Sequence, residues 1–449
     1  MRCGKRAMQP GRREIPVMLI IGNDSGDANA SFDLRRNRHP DRTRTPLHPF
    51  TGSFPYKSAA KSFYPKSSVL NNLVCGAFGA SAQQVVLGDC GTAVLIYWLE
   101  WVRIQSGGCL TVALPSFFCA ETALAIRDNG IHVVLLELSE ALDLSHASVD
   151  FAVQQGCKVL LWPNYFGYRM HDRNVLKRAR ENAVWVVFDE AHTFPPAPPC
   201  SYDLPQEITL FSFGPNKPLA GNGGGGMYFP DPAMASSVNR FIESKELRHK
   251  PTWAAVVDDA KSVIRTRVRW ASYRHSARLK LNRPWPIDPG SVPGPRLLDV
   301  PFPTMNHYQR QIAARRWQTR REAMPAHSEY VATLQAEIRN WWEPLRVRMM
   351  APTCDVPAIF AVRVSSRFRY SLSVALAAQG IQTTWHYYPL HRLAPFQDCP
   401  REPMPVSDQL ASEILVLPCQ WIHTTLRLMI NAQNLETAVE WLTNERPCS

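Results

Sequence analysis

The sequence predicts an α/β domain built on a mostly parallel sheet, followed by a smaller α+β domain. Three observations predict it. From about residue 60, short apolar runs alternate with helix-length segments, the pattern of repeated strand–helix–strand units. The 449 residues are enough for two or three domains. Asp189 closes one apolar run and a Gly-rich loop follows another, and open α/β sheets carry their ligands at such strand ends.

The elements run in order. Residues 1–60 are polar and basic (RCGKR, GRR, LRRNR, DRTR) and are expected to form a poorly ordered arm. Residues 61–232 are expected to be the large α/β domain. Within it helices are predicted at 92–104, 120–129, 147–155 and 172–182, and strands at 110–114, 132–136, 158–162, 184–188 and 208–213. The run Gly223–Gly226 reads as a flexible turn, because no helix clearly follows it. Residues 233–304 form a basic, largely helical insertion and a proline-dense linker. Inside it, 261–283 carries eight Lys/Arg and no acid, which reads as a solvated helix face or a subunit contact. Residues 305–449 are expected to be the small domain, with a long helix at 306–340, a strand at 359–364, a helix at 371–379 and a closing helix at 434–444.

Composition excludes several classes. Hydrophobic residues make up 45% and charged residues 20%, so a large core is available and global disorder is not expected. The longest apolar runs have strand length, far short of a membrane span. Residues 15–22 come nearest to a secretory segment, yet no small-residue cleavage pattern follows before the polar 23–27. The 11 cysteines show no Cys-x-x-Cys pair and no Cys/His zinc spacing, so no metal is expected and a reducing compartment is. A soluble, cytoplasmic protein is the expectation. The net charge of +12 bears on association and not on fold.

One motif points the wrong way. Residues 184–192, VWVVFDEAH, look like the second nucleotide motif of a helicase, but that chemistry needs a phosphate loop with Gly-Lys-Ser/Thr. The only Gly-Lys is Gly4-Lys5, followed by Arg6. Neither a membrane nor a nucleic-acid partner is expected. Three other features surround Asp189 in order. Cys90-Gly91-Thr92 sits between a predicted strand and a helix, where free N–H groups and the helix dipole suit a phosphate. Ser212 and Lys217 stand in FSFGPNKPLAGNGGGG, a strand running into a loop. A phosphate nest, a strand-end Asp and a loop Lys are what pyridoxal phosphate needs: the Lys for a Schiff base, the Asp to keep the ring nitrogen protonated, the nest for the dianion.

On these residues the chain resembles the DegT/StrS-type sugar aminotransferases, pyridoxal-phosphate enzymes of fold type I. Gly91-Thr92 matches the family's Ser-Gly-Thr segment, with Cys90 in place of Ser. PSFF at 115–118 matches P-S-F-T, NYFG at 164–167 matches H-x-Y-G, DEAH at 189–192 matches D-x-A-[QH], and FSFGPNK matches F-S-F-x-x-x-K. QGIQTTWHYYPLH at 379–391 and LASEILVLP at 410–418 resemble two C-terminal motifs of the family. The resemblance implies catalysis by Lys217 and Asp189. It implies cofactor binding by Gly91, Thr92, Phe118, Asp189, His192, Ser212 and Lys217, and substrate contacts at Asn164, His386 and His391. The chain departs from the family at two places. The family's ring-stacking aromatic aligns with Cys119, one residue after Phe118. Its Asn-Tyr-Arg-Met segment has only Phe302-Pro303-Thr304-Met305 as a counterpart. The function implied is transfer of an amino group from glutamate or glutamine to a keto-sugar, nucleotide-linked, by a homodimer. Two alternatives stand beside it: a cofactor-binding or scaffold homologue that has lost turnover, and a dehydratase, although in dehydratase relatives a His stands where this chain has Lys217.

Overall fold

In the computed structural model the described residues are 68–417, without 169–170, 197–206, 215–216, 220, 246–252, 254–256, 258–303, 342–347, 350–358, 367–368, 370–371, 374–382 and 384–385. The expected arm over 1–60, most of the basic insertion and the closing helix at 434–444 lie outside them.

The chain opens with helix α1 (Ser68–Phe78) and strand β1 (Val85–Gly88), followed by α2 (Gly91–Gln105) and β2 (Thr111–Pro115). Next come α3 (Ala120–Asp128), β3 (His132–Leu136), α4 (His146–Gln154) and β4 (Val159–Pro163). Helix α5 (Arg173–Glu181), β5 (Trp185–Asp189), β6 (Glu207–Ser212), β7 (Gly225–Tyr228) and α6 (Pro232–Glu243) complete the large layer structure. Beyond it lie α7 (His307–Trp341), β8 (Arg348–Met349), β9 (Phe360–Arg363), α8 (Pro405–Glu413) and β10 (Ile414–Leu417).

The main sheet has seven strands in the order β1-β7-β6-β5-β4-β2-β3. Strands β2 to β6 pair parallel, and β7 alone runs against its neighbours β6 and β1. A parallel sheet is covered on both faces, and its strands here are buried along nearly their whole length. Alternate residues divide between the two sides. Val112, Leu114, Val133, Leu135, Leu161 and Val187 face α2, α3 and α6. Ala113, Val134, Leu160, Trp162, Val186 and Phe188 face α4 and α5. The fold is therefore the α/β class expected, with a second, antiparallel sheet β10-β9-β8.

Two C-terminal pieces close on this core. Leu390, Leu393, Phe396 and Met404 join the cluster under α2 and α3, and the β9–β10 pair packs over α4 and α5. The first half of α7 brings Ala313, Ala314 and Trp317 against α1, Phe194 and Phe213.

The Gly223–Gly226 reading needs correction. Gly225 and Gly226 begin β7, and the run is a close-packed corner. A Cβ on Gly224 (φ +91°) would overlap the Met305 side chain, and one on Gly226 would overlap the Val86 carbonyl. These glycines leave room for the Met305 side chain and the Val86 carbonyl, which sequence alone cannot distinguish from flexibility.

Candidate active site

The parallel topology delivers Asp189 and Ser212 side by side, because β5 and β6 are neighbours and both end at the carboxyl edge of the sheet. After β6 the chain turns back on itself: the Lys217 N–H donates to the Gly214 carbonyl at 3.1 Å. The Gly214 N–H donates to Ser212 Oγ at 3.3 Å. A Cβ on Gly214 would lie 3.5 Å from both Lys217 Cγ and Ser212 Oγ, so the lysine stem runs beside the serine. The Lys217 charge acts on both Asp189 and His192. Burial pushes the Asp189 carboxyl up. The nearby Lys217 cation, and the Ala191 N–H donated to Oδ1 at 2.9 Å, pull it back down.

The α2 N-terminus forms the second wall. Cys90 caps it, its Sγ accepting the Ala93 N–H at 3.3 Å, and burial raises the thiol to about 11. A neutral sulfur is a weak acceptor, so the N–H groups of this turn remain suited to a stronger anion. Gly91 is required by contact: a Cβ would stand 2.6 Å from the Phe211 carbonyl of β6. Thr92 Oγ1 meets Thr122 Oγ1 of α3 at 3.2 Å, placing two helix N-termini together. The turn is held from behind by Gln309, which is buried on α7. Its Nε2 donates to Asp89 Oδ1 at 2.6 Å, while the Gly224 N–H donates to the Asp89 carbonyl at 2.5 Å.

The third wall is aromatic. His192 is buried, and its Nδ1 accepts the Phe166 N–H at 3.4 Å. Its Nε2 lies 3.0 Å from the Tyr387 hydroxyl. Burial holds the imidazole well below its ordinary value, and the Lys217 and His386 charges act in the same direction. The His192 and Tyr387 rings are parallel within 5° at 5.9 Å, and His386 stacks on Tyr387 at 5.0 Å.

The remaining expected residues fall as follows. Asn164 is buried behind Asp189: its N–H donates to the Asp189 carbonyl at 3.0 Å and its amide donates to Glu190. Phe118 packs into the core under α2 and α3, while Phe117 packs on the other face, against Tyr165 and Tyr387. His391 is held within the protein, Nδ1 at 2.7 Å from Ser116 Oγ and Nε2 at 3.2 Å from Asp408 Oδ1. Phe118 and His391 are therefore not brought to the cleft with Asp189 and Lys217. In a pair of adjacent phenylalanines at a strand end, sequence does not tell which side chain turns inward. Tyr387, Ser116 and Gln309 were not singled out, although Tyr387 stands beside His386 in a quoted motif.

The donor set has two ends. At one, helix-terminal N–H groups and Ser212 Oγ suit a phosphate; at the other, a carboxylate suits a protonated ring nitrogen, and the Lys217 charge acts on that carboxylate. These residues fit pyridoxal phosphate.

Comparison with known proteins gives the chain's family and fold relatives. Residues 63–257 and 305–426 match the DegT/DnrJ/EryC1/StrS aminotransferase family. No curated protein matches significantly. Among solved structures, the aminotransferase TlmJ from Streptoalloteichus hindustanus superposes with TM-score 0.63 at 18% identity, over 88% of this chain and 100% of that one. The sugar aminotransferase CalS13 from Micromonospora echinospora gives 0.60 at 16% identity, covering 83% and 92%. Helicobacter pylori PseC, an aminotransferase involved in pseudoaminic acid biosynthesis, gives 0.61 at 12% identity, covering 86% and 92%.

Proposed function

Since this chain belongs to the DegT/DnrJ/EryC1/StrS aminotransferase family and is a pyridoxal-phosphate-dependent aminotransferase, we propose that it transfers an amino group from glutamate or glutamine to a nucleotide-linked keto-sugar. The observation that carries the reading is the convergence of Asp189, His192, Ser212 and Lys217 beside the α2 N-terminus. The sugar class is carried over from CalS13 and PseC, whose own substrates or pathway are sugars.

Bound here, pyridoxal phosphate supplies an electron sink for the bond broken at the donor carbon. The protein's own groups do the rest. Gly91, Thr92 and Ser212 would hold the phosphate through N–H groups and a hydroxyl. The Asp189 carboxylate would keep a proton on the ring nitrogen. Lys217 Nζ would hold the cofactor and would move a proton to and from the donor carbon. Asn164, bonded to the backbone of Asp189, fixes the strand end.

We propose a homodimer as the working unit and the cytoplasm as its compartment. The six described cysteines, all free, support the second reading, and among the described residues no helix is long and apolar enough to cross a membrane. The reading is tested by the absorbance of the purified protein with and without glutamate. A near-visible band that shifts on adding glutamate is expected. A cofactor-loaded protein whose band ignores both glutamate and glutamine overturns the donor assignment.

A further inference from the structure

A pyridine ring over Asp189 needs a partner for its face, and neither residue the family pattern points to supplies one here. Cys119 has no ring, and Phe118 is 1% exposed inside the core cluster. One aromatic side chain does stand in the right neighbourhood. Tyr387 is half-buried, its hydroxyl lies 3.0 Å from Nε2 of His192, three residues beyond Asp189, and the Asp189 carboxylate acts on its phenol. Its ring is fixed edge-on against Phe117 at 5.6 Å (77°) and against Tyr165 at 6.3 Å (60°). Stacking on His192 and His386 fixes it from the other side. The segment that carries it is anchored below: the Leu390 N–H donates to the Ser116 carbonyl at 2.8 Å, and Ser116 Oγ lies 2.7 Å from His391 Nδ1.

The hydrogen bonds also set the direction of its hydroxyl. His192 Nδ1 accepts a backbone N–H, so it carries no proton. Burial keeps this imidazole neutral, so the proton sits on Nε2. Nε2–H then donates to the Tyr387 oxygen across 3.0 Å, and the phenolic hydrogen is left to point away from His192.

We propose that Tyr387 is the aromatic residue that faces the cofactor ring in this enzyme, occupying the space that an aromatic side chain at position 119 would take, with its hydroxyl oriented as a donor by His192. The inference rests on the cofactor being held at Lys217 over Asp189.

The test measures equilibrium binding of pyridoxal phosphate to cofactor-free protein, together with the dichroic band of the bound cofactor. Tyr387→Leu should weaken binding roughly five- to tenfold, the worth of an aromatic contact, and reduce the band. Adding Cys119→Phe to that variant should restore most of both. Tyr387→Phe should keep the affinity, since it keeps the ring. Unchanged affinity and dichroism in Tyr387→Leu would overturn the proposal. So would a loss that Cys119→Phe does not recover, because Tyr387 would then act only through its packing on Phe117 and Tyr165. Should Tyr387→Leu fail to fold, Cys119→Phe alone decides. With Tyr387 in that space, an added ring must collide with it and weaken binding, whereas tighter binding shows the space was open and overturns the idea. Borohydride trapping on the same samples separates the two levels. Pyridoxyl on a lysine other than Lys217 ends the site reading itself; pyridoxyl on Lys217 with a neutral Tyr387→Leu ends only this inference.

Discussion

On the proposed reading Lys217 and Asp189 carry the chemistry at the level of single residues, and each can be removed separately. Reduction with borohydride followed by peptide mapping should place the pyridoxyl mass on the Lys217 peptide. Lys217→Ala should bind the cofactor without becoming reducible and lose turnover. Asp189→Asn keeps the shape of the strand end and removes the charge. A loss of about 10²–10³ in kcat, roughly 2.7–4 kcal/mol, is expected for losing one preorganised electrostatic contact, with cofactor still bound. Full activity in Asp189→Asn would exclude the pyridinium role. The sequence singles out these two residues because each belongs to a motif several positions long. Phe118 packs in the core and His391 lies between Ser116 and Asp408. Their side-chain directions depend on what packs on each face of β2, and on Asp408, which lies 17 residues from His391 and carries no motif of its own.

Most of the helices and strands between 91 and 213 were legible, because apolar periodicity and helix caps are local signals. Asp172, Ser145 and Asp231 each cap the following helix through a side-chain oxygen. The β1–β7 pair was not legible. Strand β7 begins with two glycines, and only the approach of Phe211 and Val86 backbone makes it a strand. Two glycines in helices give contrasting tests of that argument. Gly76 lies in α1 with nothing within 4 Å of an added Cβ, so Gly76→Ala should raise stability by roughly 0.5–1 kcal/mol through helix propensity. Gly91 opens α2, where the same methyl group meets a backbone carbonyl at 2.6 Å. Gly91→Ala should cost about 1–3 kcal/mol by overpacking and also weaken cofactor binding, because the phosphate turn must shift to relieve the contact. Urea unfolding of both variants checks this. A Gly91→Ala protein as stable as the parent would mean the α2–β6 contact is looser than the structure shows.

The whole molecule gathers titratable groups at the junction of its large sheet and its C-terminal segment, so its stability should depend on pH in a defined way. Burial holds His192 well below its ordinary value and also lowers His391. In the unfolded chain both titrate near 6.5. Below that value the unfolded state binds protons that the folded state refuses, so the unfolded state holds more protons and stability falls with falling pH. The window runs from about pH 6.5 down to the depressed folded values, and each group contributes a slope of up to about 1.4 kcal/mol per pH unit. Asp189 acts with the opposite sign: its raised carboxyl keeps its proton longer in the folded state, so its contribution is lost as pH rises through that raised value. The two histidines outnumber it and act nearer neutrality. The urea midpoint of cofactor-free protein should therefore drop on going from pH 7.5 to 5.5. His192→Gln, which keeps a neutral polar side chain beside Tyr387, should flatten that slope by about half. An unchanged slope in His192→Gln would show that this imidazole is not held neutral, and the assignment of its proton to Nε2 would fall with it.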